Sequence, residues 1–117
     1  MAVTLRHATL LDIALWLGRR YRRLRVTGNS MWPLLAPGQE VLIDPQAYRR
    51  RSPQADDVVV AQHPQQPGVT IIKRIEFVAA DGRCYLKGEN ARESSDSRQF
   101  GLVSPQHLHG RVQCLFP

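Results

Sequence analysis

Beyond residue 25 the chain is cut by proline and glycine into short apolar runs, and this punctuation limits the fold more than any other feature. The runs are Glu40–Asp44, Asp57–Ala61, Thr70–Val78, Arg83–Lys87 and Arg111–Phe116. Between them lie Ala36-Pro37-Gly38, His63–Gly68 and Asp81-Gly82. Runs this short, bounded by turn formers, fit strands better than helices. The spacing therefore predicts a mainly β fold, a compact antiparallel β domain with hairpins and longer loops. At 117 residues the chain suits one domain. A TIM barrel or a dinucleotide-binding unit with a partner domain is too large. With 43% hydrophobic and 22% charged residues, a packed core is expected rather than disorder.

The first 25 residues read differently. Leu10, Leu11, Ala14, Leu15 and Leu17 follow an approximate helical stripe. Thr9 is a suitable N-cap, and arginines crowd the other end. The expectation is one helix over residues 8–24. Arg6, Arg19, Arg20, Arg22, Arg23 and Arg25 face a single acid, Asp12, so this segment carries most of the net charge of +6. We divide the chain into a basic helical arm, 1–25, and a β domain, 26–117. Such an arm suits a solvated face, a phosphate partner or an anionic membrane surface. Its apolar stretch Ala8–Gly18 is interrupted by Asp12 and falls short of the roughly 20 residues that a membrane span needs. The start lacks a clear basic n-region followed by a clean apolar run and an A-x-A site, so a secretory signal is not expected. Cys84 and Cys114 make no disulfide framework and suit a reducing compartment. These features lead to the expectation of a cytoplasmic protein with peripheral membrane contact through the helix.

Two segments carry candidate chemistry. Ser30 follows Val26-Thr27-Gly28-Asn29 and precedes Met31-Trp32-Pro33. Glycine permits close backbone approach and proline fixes the exit. A serine so placed suits an acyl-transfer nucleophile with free N–H groups beside it. It equally suits a turn serine bonded to its own backbone. In Thr70–Val78, strand alternation puts Ile71, Lys73, Ile75 and Phe77 on one face. Lys73 thus sits on an otherwise apolar surface. Only Lys73 and Lys87 among the 16 basic residues are lysines. Arginine cannot act as a base, whereas a lysine can once burial lowers its pKa from about 10.4. An edge lysine reaching past its neighbours to water fits the same pattern.

Histidine offers no clear alternative. His7 lies in the arm and His63 in a Pro/Gln loop, while His107 and His109 share a side if extended. A Ser-His-Asp triad stays open. A metal site from Cys84, His107, His109 and Cys114 lacks ligand spacing, so no metal or cofactor is expected. Residues Ala91–Phe100 form a polar loop rich in Ser, Asp and Arg, in which Asp96 and Arg98 have the spacing of a local ion pair.

In combination these segments resemble the type I signal peptidase family of serine–lysine proteases. Ser30-Met31-Trp32-Pro33-Leu34-Leu35 is similar to the family's S-M-x-P-x-L, and Lys73-Arg74 to its strand K-R. Gly88, Asn90, Ser94, Asp96, Ser97, Arg98 and Gly101 match G-D-N-x-x-x-S-x-D-S-R-x-x-G, and Leu108, Gly110, Arg111 and Val112 the closing I-x-G-R-V. Gln39, Asp56 and Glu89 depart from the usual Asp, Gly and Asp. Gly28 stands where some members carry an oxyanion-donating hydroxyl and others glycine.

The resemblance implies a signal peptidase-like coiled β fold. It implies a serine endopeptidase with Ser30 as nucleophile and Lys73 as base, cleaving a peptide or protein precursor. It makes Ser94, Asp96 and Arg98 supporting residues, and places the oxyanion and substrate near Gly28, Asn29, Met31 and Ile72. The missing anchor and the 20 residues between Lys73 and Ser94 look most like the nickel-type superoxide dismutase maturation proteases. Removal of that precursor's N-terminal propeptide is therefore the expected activity. A membrane-associated signal peptidase acting on secretory precursors is the alternative. A self-cleaving repressor would need more helix before the β part. A nucleic-acid-binding module using Arg19–Arg25 with Trp16 and Tyr21 would leave the serine–lysine pattern without purpose, so no nucleic-acid partner is expected.

Overall fold

The computed structural model describes residues 4–90 and 95–117. Six strands form one antiparallel sheet: β1 (Arg22–Arg25), β2 (Glu40–Asp44), β3 (Val58–Gln62), β4 (Thr70–Val78), β5 (Cys84–Lys87) and β6 (Leu108–Leu115). Their order across the sheet is β1-β2-β6-β3-β4-β5, so β1 and β5 are the edges. One main helix, α1 (Leu10–Leu17), precedes them, and a short helix, α2 (Ser97–Phe100), follows β5. The fold is mainly β, as the run-and-turn pattern predicts.

The sheet carries apolar clusters on both faces. Val26, Met31, Leu35, Val41, Ile43, Val58, Val60 and Val112 form one. Val59, Ala61, Ile75, Cys84, Leu86 and Val103 form the other. Successive residues of β3 point into opposite clusters, which is strand alternation buried on both sides.

The helix departs from expectation. It ends at Leu17 rather than near residue 24, with Gly18 as its C-cap and Arg19 at φ 66°. The expected apolar stripe does not face the body. Leu10 is 90% exposed and Leu11 and Leu17 also face solvent, whereas Asp12 is buried. Asp12 turns inward because it completes a capping box with Thr9 and accepts from Arg6 at 2.5 and 3.1 Å. These bonds hold its carboxyl well below the usual carboxylate range.

The second half of the arginine stretch is strand. Arg22–Arg25 pairs with Ile43–Glu40, and charge fixes the match. Arg20 is bridged to Asp44, and both Arg23 and Arg25 to Glu40. Part of the arm's positive charge is thus paired with acids of β2, although these arginines stay exposed. The polar segment 91–100 also differs from a plain loop, since α2 occupies its end.

Candidate active site

Ser30 stands on a loop closed by backbone bonds at both ends. The Val26 N–H donates to the Gln39 carbonyl at 2.8 Å, and the Gly38 N–H donates to the Val26 carbonyl at 2.8 Å. Inside it, Trp32 N–H reaches the Asn29 carbonyl and Leu35 N–H the Met31 carbonyl. Met31 and Leu35 are fully buried and pin the turn to the core. Gly28 has φ 74°, where a side chain is strained although the space around it is open. Ser30 itself is half-buried, and its carbonyl accepts from Asn90 N–H at 2.8 Å. Neither the Ser30 nor the Met31 N–H donates to a backbone carbonyl among the described residues. They are available to a ligand, as an oxyanion donor must be.

Lys73 is 3% exposed in the middle of β4. Its register partner across the sheet is Val59, and Ile71 and Ile75 flank it along the strand. Burial pushes its amine below the ordinary lysine range. Asp96 pulls the other way and Arg98 adds to the depression. The expected fourth member of this face, Phe77, is not there. The β4–β5 register slips between Ile75 and Phe77, and Phe77 turns outward to stack on Tyr85. Desolvation of Lys73 comes from Ile71, Ile75 and β3 instead.

Asp96 is fully buried and caps α2. Its carboxylate accepts from Arg98 N–H at 3.1 Å, Arg98 Nε at 2.9 Å, Arg98 Nη2 at 2.7 Å and Gly88 N–H at 3.0 Å. Ser97, which the sequence reading gave no role, accepts from Leu86 N–H at 2.8 Å. With Cys84 N–H bonded to Val103, the alternate N–H groups of Cys84, Leu86 and Gly88 along the outer edge of β5 are all satisfied. Ser94 lies outside the described residues.

These pieces meet at a cleft of about 180 Å³ lined by both Ser30 and Lys73. One wall is Leu24–Thr27 with Met31, and the other is Thr70–Ile72. Each wall is an open strand edge. Among the described residues β1 pairs only with β2. Because β5 pairs with β4 only from Arg74 onward, Thr70–Ile72 has a strand neighbour on the β3 side alone among the described residues. Gly28 and Asn29 belong to the same loop as Ser30 without lining the cleft. No histidine lines it. His63 is buried against Phe100, and His109 is exposed on β6. Among the described residues no three His, Cys, Asp or Glu side chains converge as a metal site.

The family model described as signal peptidase, peptidase S26 matches residues 3–81 and 76–116. The chain belongs to the signal peptidase S26 family. It is 30% identical over 107 residues to the mitochondrial ATP-independent inner membrane protease subunit 1b of Arabidopsis thaliana, covering 73% of this chain and 63% of that protein. It is 32% identical over 109 residues to the mitochondrial inner membrane protease subunit 2 of Danio rerio, covering 75% and 60%. A Xenopus tropicalis subunit 1 is 29% identical over 108 residues, covering 76% and 64%. The alignments thus span less than two thirds of the length of these curated relatives. Their names point to the inner mitochondrial membrane and give the dismutase-maturation subgroup no support. Among the described residues no helix is long and apolar enough to cross a membrane.

Membership in the S26 family makes its motif positions physically readable here. Asp56, standing for the usual glycine, has φ 74°, a conformation that aspartate tolerates better than most residues. Gln39 Oε1 accepts from Ala36 N–H at 3.0 Å and so closes the turn before β2. Glu89 is bridged to Arg74, joining the end of β5 to the lysine strand. Gly110 is obligatory on β6. A Cβ there would lie 2.7 Å from Ile43 Cγ2 and 2.8 Å from the Asp44 carbonyl.

Proposed function

We propose that this chain is a serine endopeptidase that removes N-terminal leader segments from precursor proteins by a Ser30/Lys73 dyad. The observation that carries the reading is a cleft that holds both Ser30 and a desolvated Lys73 between two open strand edges. An extended precursor segment enters that gap as an added strand. Its small volume suits small side chains beside the scissile bond.

Ser30 Oγ attacks the scissile carbonyl while neutral Lys73 takes its proton. The tetrahedral oxyanion meets the Ser30 N–H. Lys73 then passes the proton to the leaving amine, giving an acyl-enzyme and a free new N-terminus. Water, deprotonated by Lys73, attacks the ester, and Ser30 recovers its proton. In this scheme Asp96 and Arg98 hold α2 against β5 behind the lysine, and Ser94 aligns the amine as the family resemblance implies. No cofactor enters the scheme.

Inner membrane protease and signal-peptidase leaders fit this reading better than a nickel superoxide dismutase propeptide, because the relatives carry the former names. Incubating the protein with precursors of each kind and weighing the product termini tests it. Ser30→Ala and Lys73→Met should each abolish cleavage in a folded protein. Cleavage surviving either change removes the dyad.

The outward leucines of α1 support peripheral membrane contact in the same scheme. Replacing Leu10, Leu11 and Leu17 with serine should abolish co-sedimentation with anionic vesicles. Unchanged partition would refute that contact.

A further inference from the structure

The cleft walls are apolar and hydroxyl-bearing with two exceptions, Lys73 and Arg25. Burial disfavours the ammonium form of Lys73, whereas the Arg25 guanidinium stays charged at any working pH, so Arg25 supplies the fixed charge on the cleft lining. Glu40 does not cancel it. Glu40 takes Arg23 Nε on one carboxylate oxygen and Arg25 Nη2 on the other at 3.2 Å. One acid between two arginines leaves a surplus positive charge on this edge of β1. Arg23 is held back from the cleft by its own contacts, stacking 4.2 Å over the Phe116 ring. Arg25 lines the cleft, and its side chain is 69% exposed. No acidic residue lines the cleft.

We infer that Arg25 is a specificity-determining residue which selects precursors bearing an aspartate or glutamate on the β1 side of the bound strand, close to the scissile bond. The inference rests on the protease reading and names the substrate chemistry that reading leaves open. A guanidinium on a fixed strand matches a carboxylate with two parallel N–H groups. In a partly water-filled cleft such a pair changes kcat/KM by about three- to tenfold, less at high salt.

The test walks one aspartate, with asparagine and lysine controls, through the residues flanking the cleavage site of a peptide that the enzyme cuts. The expected result is one position where aspartate beats asparagine by about three- to tenfold in kcat/KM at low salt, the gap closing at 0.5 M salt. Arg25→Gln should level the two peptides, and Arg25→Glu should favour lysine at that position. Glu40→Gln, which uncovers both arginines, should widen the aspartate preference. Thermal melts establish that each variant is folded. An aspartate preference that survives Arg25→Gln, or its absence at every position in the wild type, overturns the inference while cleavage of the asparagine peptides keeps the protease reading. Failure of the wild type to cut any peptide, or equal cutting by Ser30→Ala, overturns both.

Discussion

Replacing Asp96 with asparagine separates electrostatics from scaffolding behind the lysine. Among the described residues the carboxylate serves two backbone donors, Arg98 N–H through Oδ1 at 3.1 Å and Gly88 N–H through Oδ2 at 3.0 Å. An amide has one oxygen, so its NH2 must face one of those donors. Facing Arg98, it loses a helix cap, worth about 1 kcal/mol. Facing Gly88, it strands a buried N–H, worth about 1–3 kcal/mol. The Arg98 guanidinium reaches water and is assigned no share. The expected destabilisation is about 1–3 kcal/mol, roughly 4 °C in Tm for each kcal/mol in a chain of this size.

The amine should respond with a definite sign. Asp96 favours the ammonium form of Lys73 and Arg98 opposes it. Deleting the negative charge therefore lowers the lysine pKa further, and the rising limb of kcat/KM against pH moves to lower pH. The chain has two lysines, Lys73 and Lys87, so 13Cε labelling gives one reporter and one internal control. If the Lys73 resonance of folded Asp96→Asn titrates unchanged or at higher pH, Asp96 does not act on the amine by its charge.

Two further changes probe stability. Lys73→Met should stabilise the protein at pH 7. Wild-type Lys73 has a folded pKa depressed below its unfolded value, so the unfolded chain binds the proton more readily and stability rises with pH across that window. Each unit of depression is worth about 1.4 kcal/mol below the folded pKa, and the Met advantage should shrink toward pH 10; urea melts showing a constant or reversed gap would refute this. Gly110→Ala should cost about 1–3 kcal/mol, because its Cβ meets the Asp44 carbonyl at 2.8 Å and backbone cannot swing aside like a side chain. A Tm within 1 °C of wild type would show that the β2–β6 spacing is softer than it looks.

Strands whose alternation and turn residues agree were legible in the sequence: Glu40–Asp44 and Thr70–Val78 fall at their predicted bounds. Strand β1 was not. Arg22-Arg23-Leu24-Arg25 has no apolar alternation, and its pairing rests on Glu40, a residue 15 positions beyond Arg25. The inward turn of Asp12 was hidden for a similar reason, since its partner Arg6 precedes the helix. The outward turn of Phe77 depends on a register slip set by β5, which strand periodicity within β4 cannot register. At the site, the scarcity of lysine and the spacing of the serine turn were readable. The service of Ser97 to β5 was not, because a serine beside an aspartate looks like any polar turn.

The contrast between the sealed edge of β5 and the bare edge beside it bears on turnover. Thr70–Ile72 is about 10 Å of strand. So short a stretch offers an incoming chain two or three main-chain hydrogen bonds, each worth about 1 kcal/mol net. Alone they would hold a peptide only at roughly 5 to 40 mM. A clasp that brief lets the new N-terminal fragment depart quickly once the bond is cut, and the leader once its ester to Ser30 is hydrolysed, and it leaves little penalty for exchanging one precursor for another. Grip must come from the opposite wall at Leu24–Thr27, from side chains and from whatever brings the precursor near, so this edge works as a ruler that aligns the bond and not as an anchor that retains it.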